Sequence, residues 1–246
     1  MRQTFIIVKR DLKEAFRTRS TYLYLVILLF ISIPQLQGVN AALNGLKEQS
    51  LSAADLKLQS QVVLNVLVST LPLIYSMLIC SVISAYSITM DKAKRTLESL
   101  MATPLSLRQI WLGKSLAVML PGAAIALFAS FLAFLAINFI TVVPTAGGFI
   151  FPSVLAIVTA FVIVPAMVFA LVCLVSFLQL TIANARLANL AFVSLFVIIY
   201  FITIISPDSG WDFGFVYLAA IAVLAVVCIM LSRLLTKERV VLSSKS

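Results

Sequence analysis

"SLAVMLPGAAIALFASFLAFLAINFITVVPTAGGFIFPSVLAIVTAFVIVPAMVFALVCLVSFLQLTIANA", residues 115–185, contains no charged side chain. A membrane span needs about 20 mostly apolar residues, so this stretch is too long for one span. It is divided at "NFITVVPTAGGFIFP" (138–152), where Asn, two prolines and a Gly-Gly pair act as turn and breaker signals. Two spans therefore lie back to back, at 114–138 and 153–180.

Further apolar runs extend the pattern outward to 21–38, 61–89, 187–206 and 213–233, six spans in all. The composition agrees: 62% of the 246 residues are apolar and only 11% charged, against an apolar share of about half in a soluble domain. Lipid cannot satisfy free backbone groups, which favours helices, and the short alternating segments of a β-barrel are missing. The fold class expected is an all-α integral membrane protein, a single transmembrane domain over 1–246.

Orientation follows from the basic residues. Six precede the first span (Arg2, Lys9, Arg10, Lys13, Arg17, Arg19) and five lie between spans two and three (Lys92, Lys94, Arg95, Arg108, Lys114). Arg186 follows span four, and Arg233, Lys237, Arg239 and Lys245 follow span six. Of the 18 basic residues only Lys47 and Lys57 fall on the opposite side, with Asp208 and Asp212. The positive-inside rule places both termini and the 234–246 tail in the cytoplasm. Five or seven spans would scramble this alternation. The net charge of +9 thus reads as topology and contact with anionic membrane lipid. Nucleic acid is not an expected partner, since the aromatic residues lie within the spans.

A basic start, the run "YLYLVILLFISI" and "VNA" before Ala42 have the outline of a cleaved signal peptide. The preceding segment has its own pattern, however. Wound as a helix, Phe5, Val8, Leu12, Ala15 and Phe16 form a stripe about 100° wide, with Lys9, Arg10, Lys13 and Arg17 on another face. Residues 1–20 are expected to lie along the headgroups as an interfacial helix, followed by an uncleaved first span.

Cys80, Cys173 and Cys228 fall inside predicted spans and read as small packing residues. The chain has no His and no CxxC, which excludes a zinc or haem-ligating site of those types. No Ser/His/Asp set or acidic metal cluster supports an enzyme, so neither catalytic residue, metal nor cofactor is expected in this chain.

Gly113-Lys114-Ser115 matches the end of a P-loop, G-x-x-x-x-G-K-[ST]. The motif needs a glycine where Arg108 stands, and a soluble helix after it rather than a membrane span. The triplet is not an ATP site. Upstream, "DKAKRTLESLMA" places Leu97, Leu100 and Met101 on one helical face, with Asp91, Lys94 and Glu98 elsewhere. Thr103-Pro104 ends that piece. Ser106, with Gln109 three positions on, is a capping-box start for the next helix. The result is a charged elbow between two membrane helices.

Residues 88–115 resemble the cytoplasmic signature of the type-2 ATP-binding-cassette (ABC) exporter permeases. That family runs an acidic-basic cluster, Gly-Thr-Leu-Glu, two leucines, a Thr/Ser-Pro pair and a Gly-Lys at the head of the third span. Asp91, Thr96, Leu97, Glu98, Leu100, Thr103, Pro104, Gly113 and Lys114 match in order and spacing. Arg95 departs from the family's glycine and Ala93 from its common acid. The opening "IIVKRDLKEAFRTRSTYLYLVI" is similar to the family's entry helix.

The resemblance implies that 91–103 is a coupling helix docked on a separate ABC ATPase subunit, present in two copies, which binds ATP and Mg²⁺. Leu97, Leu100 and Met101 would fill the ATPase groove, and the flanking charges would set register. Arg186, in "LTIANARLANLA" (180–191), would make a second, smaller cytoplasmic contact. A second permease copy or a homologous permease would complete the pathway in the plasma membrane.

Ionisable groups within spans mark proton- and ion-driven carriers, and the span bodies have none. This favours work supplied from outside. A channel or secondary carrier without an ATPase stays open as the alternative, because backbone carbonyls also bind ions. For a pathway, the mildly polar stripe Ser69, Ser76, Cys80, Ser84 and Ser87 of span two is the candidate lining, suited to an apolar or amphipathic lipid, drug or peptide. Gly122, Ala126, Ala129, Ala133 and Ala136 of span three form a close-packing stripe. Pro72, Pro121 and Pro165 are expected kinks.

Overall fold

The computed structural model describes residues 53–93, 106–182 and 213–234, with a few isolated helical positions such as Asn40. The interfacial helix 1–20, spans 21–38 and 187–206 and most of the 234–246 tail lie outside the described residues. The described elements are all helical: α1 (Ala53–Ala93), α2 (Leu107–Ile137), α3 (Val143–Ala146), α4 (Val154–Val158), α5 (Val164–Thr181) and α6 (Phe213–Leu234). Two π-helical turns, Asn138–Val142 and Thr159–Ile163, join α2 to α3 and α4 to α5. Four stretches are long and apolar enough to cross a membrane: Asp55–Ser84, Leu107–Val142, Val154–Thr181 and Val216–Arg233. They coincide with the predicted spans at 61–89, 114–138, 153–180 and 213–233.

α1 has 41 residues, about 60 Å at 1.5 Å per residue. That is twice the hydrocarbon thickness of about 30 Å, so the helix continues well past its apolar run. α2 likewise starts a full seven residues before Lys114, at the Ser106 cap. At the other end the helical path does not break at Asn138. It passes through the π-turn and α3 and stops at Gly147, whose φ of 73° is left-handed. Polar Asn138 and the proline were breaker signals in sequence; in three dimensions the π-turn absorbs them, and only a glycine able to take positive φ ends the helix.

α1, α2 and α5 form the core, and α6 packs on α5. Leu64, Leu71, Tyr75, Met77 and Cys80 of α1 meet Val118 and Ala126 of α2 and Met167, Leu171 and Val175 of α5 in one buried cluster. Apolar burial drives little association in lipid, so close approach and polar ties between helices carry more of the specificity. Gly122 is the closest approach: a Cβ built there would lie 2.4 Å from Cys80 Sγ. Ala126 is buried, and Ala129 and Ala133 pack partly buried beside the same cluster, so this small-residue stripe is an interhelical seam. Pro72 and Pro121 lie inside α1 and α2. Pro165 follows the second π-turn directly at the head of α5.

Candidate functional site

One end of the bundle lies where α1 stops and α2 starts, on either side of residues 94–105. Asp91 belongs to the last turn of α1, which runs on to Ala93. Thr96, Leu97, Glu98, Leu100, Met101, Thr103 and Pro104 lie outside the described residues, as does Arg186. The chain re-enters the described structure at Ser106, with the expected capping box. Ser106 Oγ accepts from the Gln109 amide at 3.3 Å, and the Ser106 amide donates to Gln109 Oε1 at 3.0 Å. These reciprocal bonds fix where α2 begins and therefore where the elbow must end.

Gly113, Lys114 and Ser115 are all buried inside α2, two turns beyond the cap. Their amides belong to a helix interior, the wrong geometry for the phosphate-wrapping loop of a P-loop. Lys114, counted in sequence with the basic residues between spans two and three, is 0% exposed. Charged residues are almost never fully buried unless paired, and Lys114 does interact within the protein. Its burial inside α2 makes it part of the bundle's architecture rather than of a solvated loop.

Three polar ties hold this end together. Trp111 Nε1 donates to the Cys173 carbonyl at 2.8 Å, with its ring edge-on to Phe177. Ser84 Oγ donates to Gln179 Oε1 at 2.7 Å, joining α1 to α5. Cys80 Sγ contacts the Val118 carbonyl at 3.8 Å. Among the stripe residues singled out in span two, Ser69, Ser76, Cys80 and Ser84 are all buried within this one chain. Ser69 and Ser76 donate back to the Asn65 and Pro72 carbonyls of their own helix. Ser84 reaches across instead, and that exception was not evident from spacing.

The opposite end carries a second cluster that sequence reading missed. Asn65 Oδ1 accepts from the Ser153 amide at 2.7 Å, and Asn138 Oδ1 accepts from the Ile150 amide at 3.2 Å. Gln61 Nε2 donates to the Phe151 carbonyl at 3.4 Å, and Thr141 Oγ1 to Asn40 Oδ1. Phe149 lies among Phe134, Phe139 and Phe151, with ring centroids 4.9–5.9 Å apart. The readable signal was an amide side chain in an otherwise apolar span. A buried Asn must find partners, and here the partner is a loop backbone.

Four membrane-length helices, a capped elbow re-entry and a core tied across its helices define a multi-pass, helical membrane protein. Residues 5–209 match the family model described as ABC-2 family transporter protein. The chain belongs to that family: it is a permease, the membrane component of an ABC transporter, a class that works with an ATPase partner and is not itself the catalytic subunit. No curated protein and no solved structure matches it significantly.

Proposed function

We propose that this chain is the permease of an ABC exporter in the plasma membrane, with six spans, both termini cytoplasmic and residues 91–103 acting as a coupling helix. Two copies, or one copy and a homologous chain, form the pathway above two ATPase subunits that bind ATP and Mg²⁺. Asp91, Thr96, Leu97, Glu98, Leu100, Met101, Thr103 and Pro104 form the principal ATPase contact, and Arg186 a smaller one. The cargo is apolar or amphipathic and leaves the cell. Span two's Ser69, Ser76, Cys80 and Ser84 reach such a cargo only when the packing of α1 against α2 and α5 loosens.

The observation that supports this reading is that α1 and α2, the helices joined by residues 94–105, pack against each other and meet closely at Gly122 and Cys80. A displacement applied at residues 94–105 is passed straight into that pair. The matching test is Leu100→Ala and Glu98→Ala in the complex copurified with its ATPase. Truncating a central groove residue costs about 2 kcal/mol. We therefore expect a loss of roughly tenfold or more in ATPase association, and loss of turnover stimulation across a panel of lipids, drugs and peptides, with membrane insertion unchanged. Unaltered association and stimulation in both variants would overturn the docking role.

A further inference from the structure

The chain uses one backbone device twice. Before Pro144 the Val143 amide donates to the Asn138 carbonyl, and before Pro165 the Val164 amide donates to the Thr159 carbonyl. Both bonds span five residues, and each proline is the second residue after the widened turn. A proline ring collides with the carbonyl four residues back and cannot donate to it. Widening the preceding turn removes both problems and leaves a bend point. The two bend points bracket the segment from α3 through the 147–153 connection to α4.

That segment is held on one side only. Ala156, Thr159, Ala160 and Ile163 are buried, a mostly small-residue face on the side where α4 and the second π-turn contact α1 and the π-turn also contacts α6. Val154, Leu155, Phe161 and Val162 are exposed on this chain. Its polar fastening includes neutral hydrogen bonds between side-chain amides and loop backbone: the Ser153 amide donates to Asn65 Oδ1, the Ile150 amide donates to Asn138 Oδ1, and Gln61 Nε2 donates to the Phe151 carbonyl. Each such bond biases an equilibrium by roughly fivefold to tenfold, strong enough to hold a position and weak enough to release it.

We propose that residues 138–163 form a hinged strap that closes the end of the bundle remote from the elbow, bending at its two π-turns and released from Asn65 and Gln61 in each transport cycle. The proposal rests on the topology given above, which makes this the outer end.

The test uses the full complex with its ATPase, with Cys80, Cys173 and Cys228 replaced by alanine. Gln61→Cys together with Phe151→Cys is joined by a short bis-methanethiosulfonate linker. Linking should reduce ATP turnover about tenfold, and reductant should restore it, while each single-cysteine variant treated alike keeps its turnover. Unchanged turnover in the linked protein, or failure of the pair to link, overturns the strap. In a separate arm, Asn65→Leu should raise the thiol-labelling rate of Ala156→Cys about fivefold; an unchanged rate overturns release at Asn65. A membrane-impermeant maleimide that reaches Phe151→Cys only from the cytoplasmic face would overturn the topology instead, and leaves the linking result to be judged by itself.

Discussion

Where α1 crosses α2, side chains are cut back until the backbones meet; where α1 passes the 147–153 connection, side chains are extended to reach a backbone that is not helical. The first contact depends on Gly122 against Cys80, the second on Asn65 and Gln61. A seam of small residues tolerates little added side-chain volume, because protein interiors are close-packed. An amide latch can be broken and remade at small free-energy difference. The same helix thus offers a tightly packed face against α2 and an amide-tied one at the 147–153 connection.

Glycine substitution is the sharpest way to break this comparison. Gly122→Val places new atoms against the fully buried Cys80 Sγ, already only 2.4 Å from an ideal Cβ, and overpacking of this kind costs about 1–3 kcal/mol. Gly148, beside the left-handed Gly147, has nothing within 4 Å of its Cβ position, so Gly148→Val is expected to change stability by under about 0.5 kcal/mol. Thermal unfolding in detergent should rank the two far apart. A cycle of Gly122→Ala with Cys80→Ala should show the second change rescuing the first. Equal tolerance at both glycines would mean that the seam is as yielding as the strap.

How much of this was legible depended on which physical signal each part leaves in the sequence. Apolar length and the absence of charge reveal spans, and the four described spans stand where those signals placed them. The Ser106–Gln109 cap was readable because its geometry is local. The helix continuing past Asn138 was not, since a π-turn before proline looks like a loop in composition. The burial of Lys114 was not legible, because charge assigns a residue to a side of the membrane and says nothing of tertiary packing. The latch amides were overlooked for a related reason: Asn65 and Asn138 have partners 88 and 12 residues away, a distance no periodicity spans.

Trp111→Phe tests a tie of intermediate strength at the elbow end. It removes the indole donor to the Cys173 carbonyl while keeping an aromatic ring against Phe177. The loss should be about 0.5–1.5 kcal/mol, read as a lower melting temperature in detergent.

The smallest effect separates two serines on one helix. Ser84 and Ser76 are equally buried, but Ser76 Oγ donates to the Pro72 carbonyl at 2.6 Å within α1, whereas Ser84 Oγ donates to Gln179 of α5 at 2.7 Å. A bond within one helix survives when helices separate in the membrane, so Ser76→Ala should barely alter the association of α1 with α5. A bond between helices is lost on separation, and membrane measurements put such ties at about 0.6 kcal/mol. Ser84→Ala should therefore lower stability by that amount, and by no more than Ser76→Ala once Gln179→Leu has removed the partner. If the two alanine variants are indistinguishable in the native background, the Ser84–Gln179 bond carries no share in holding α1 to α5.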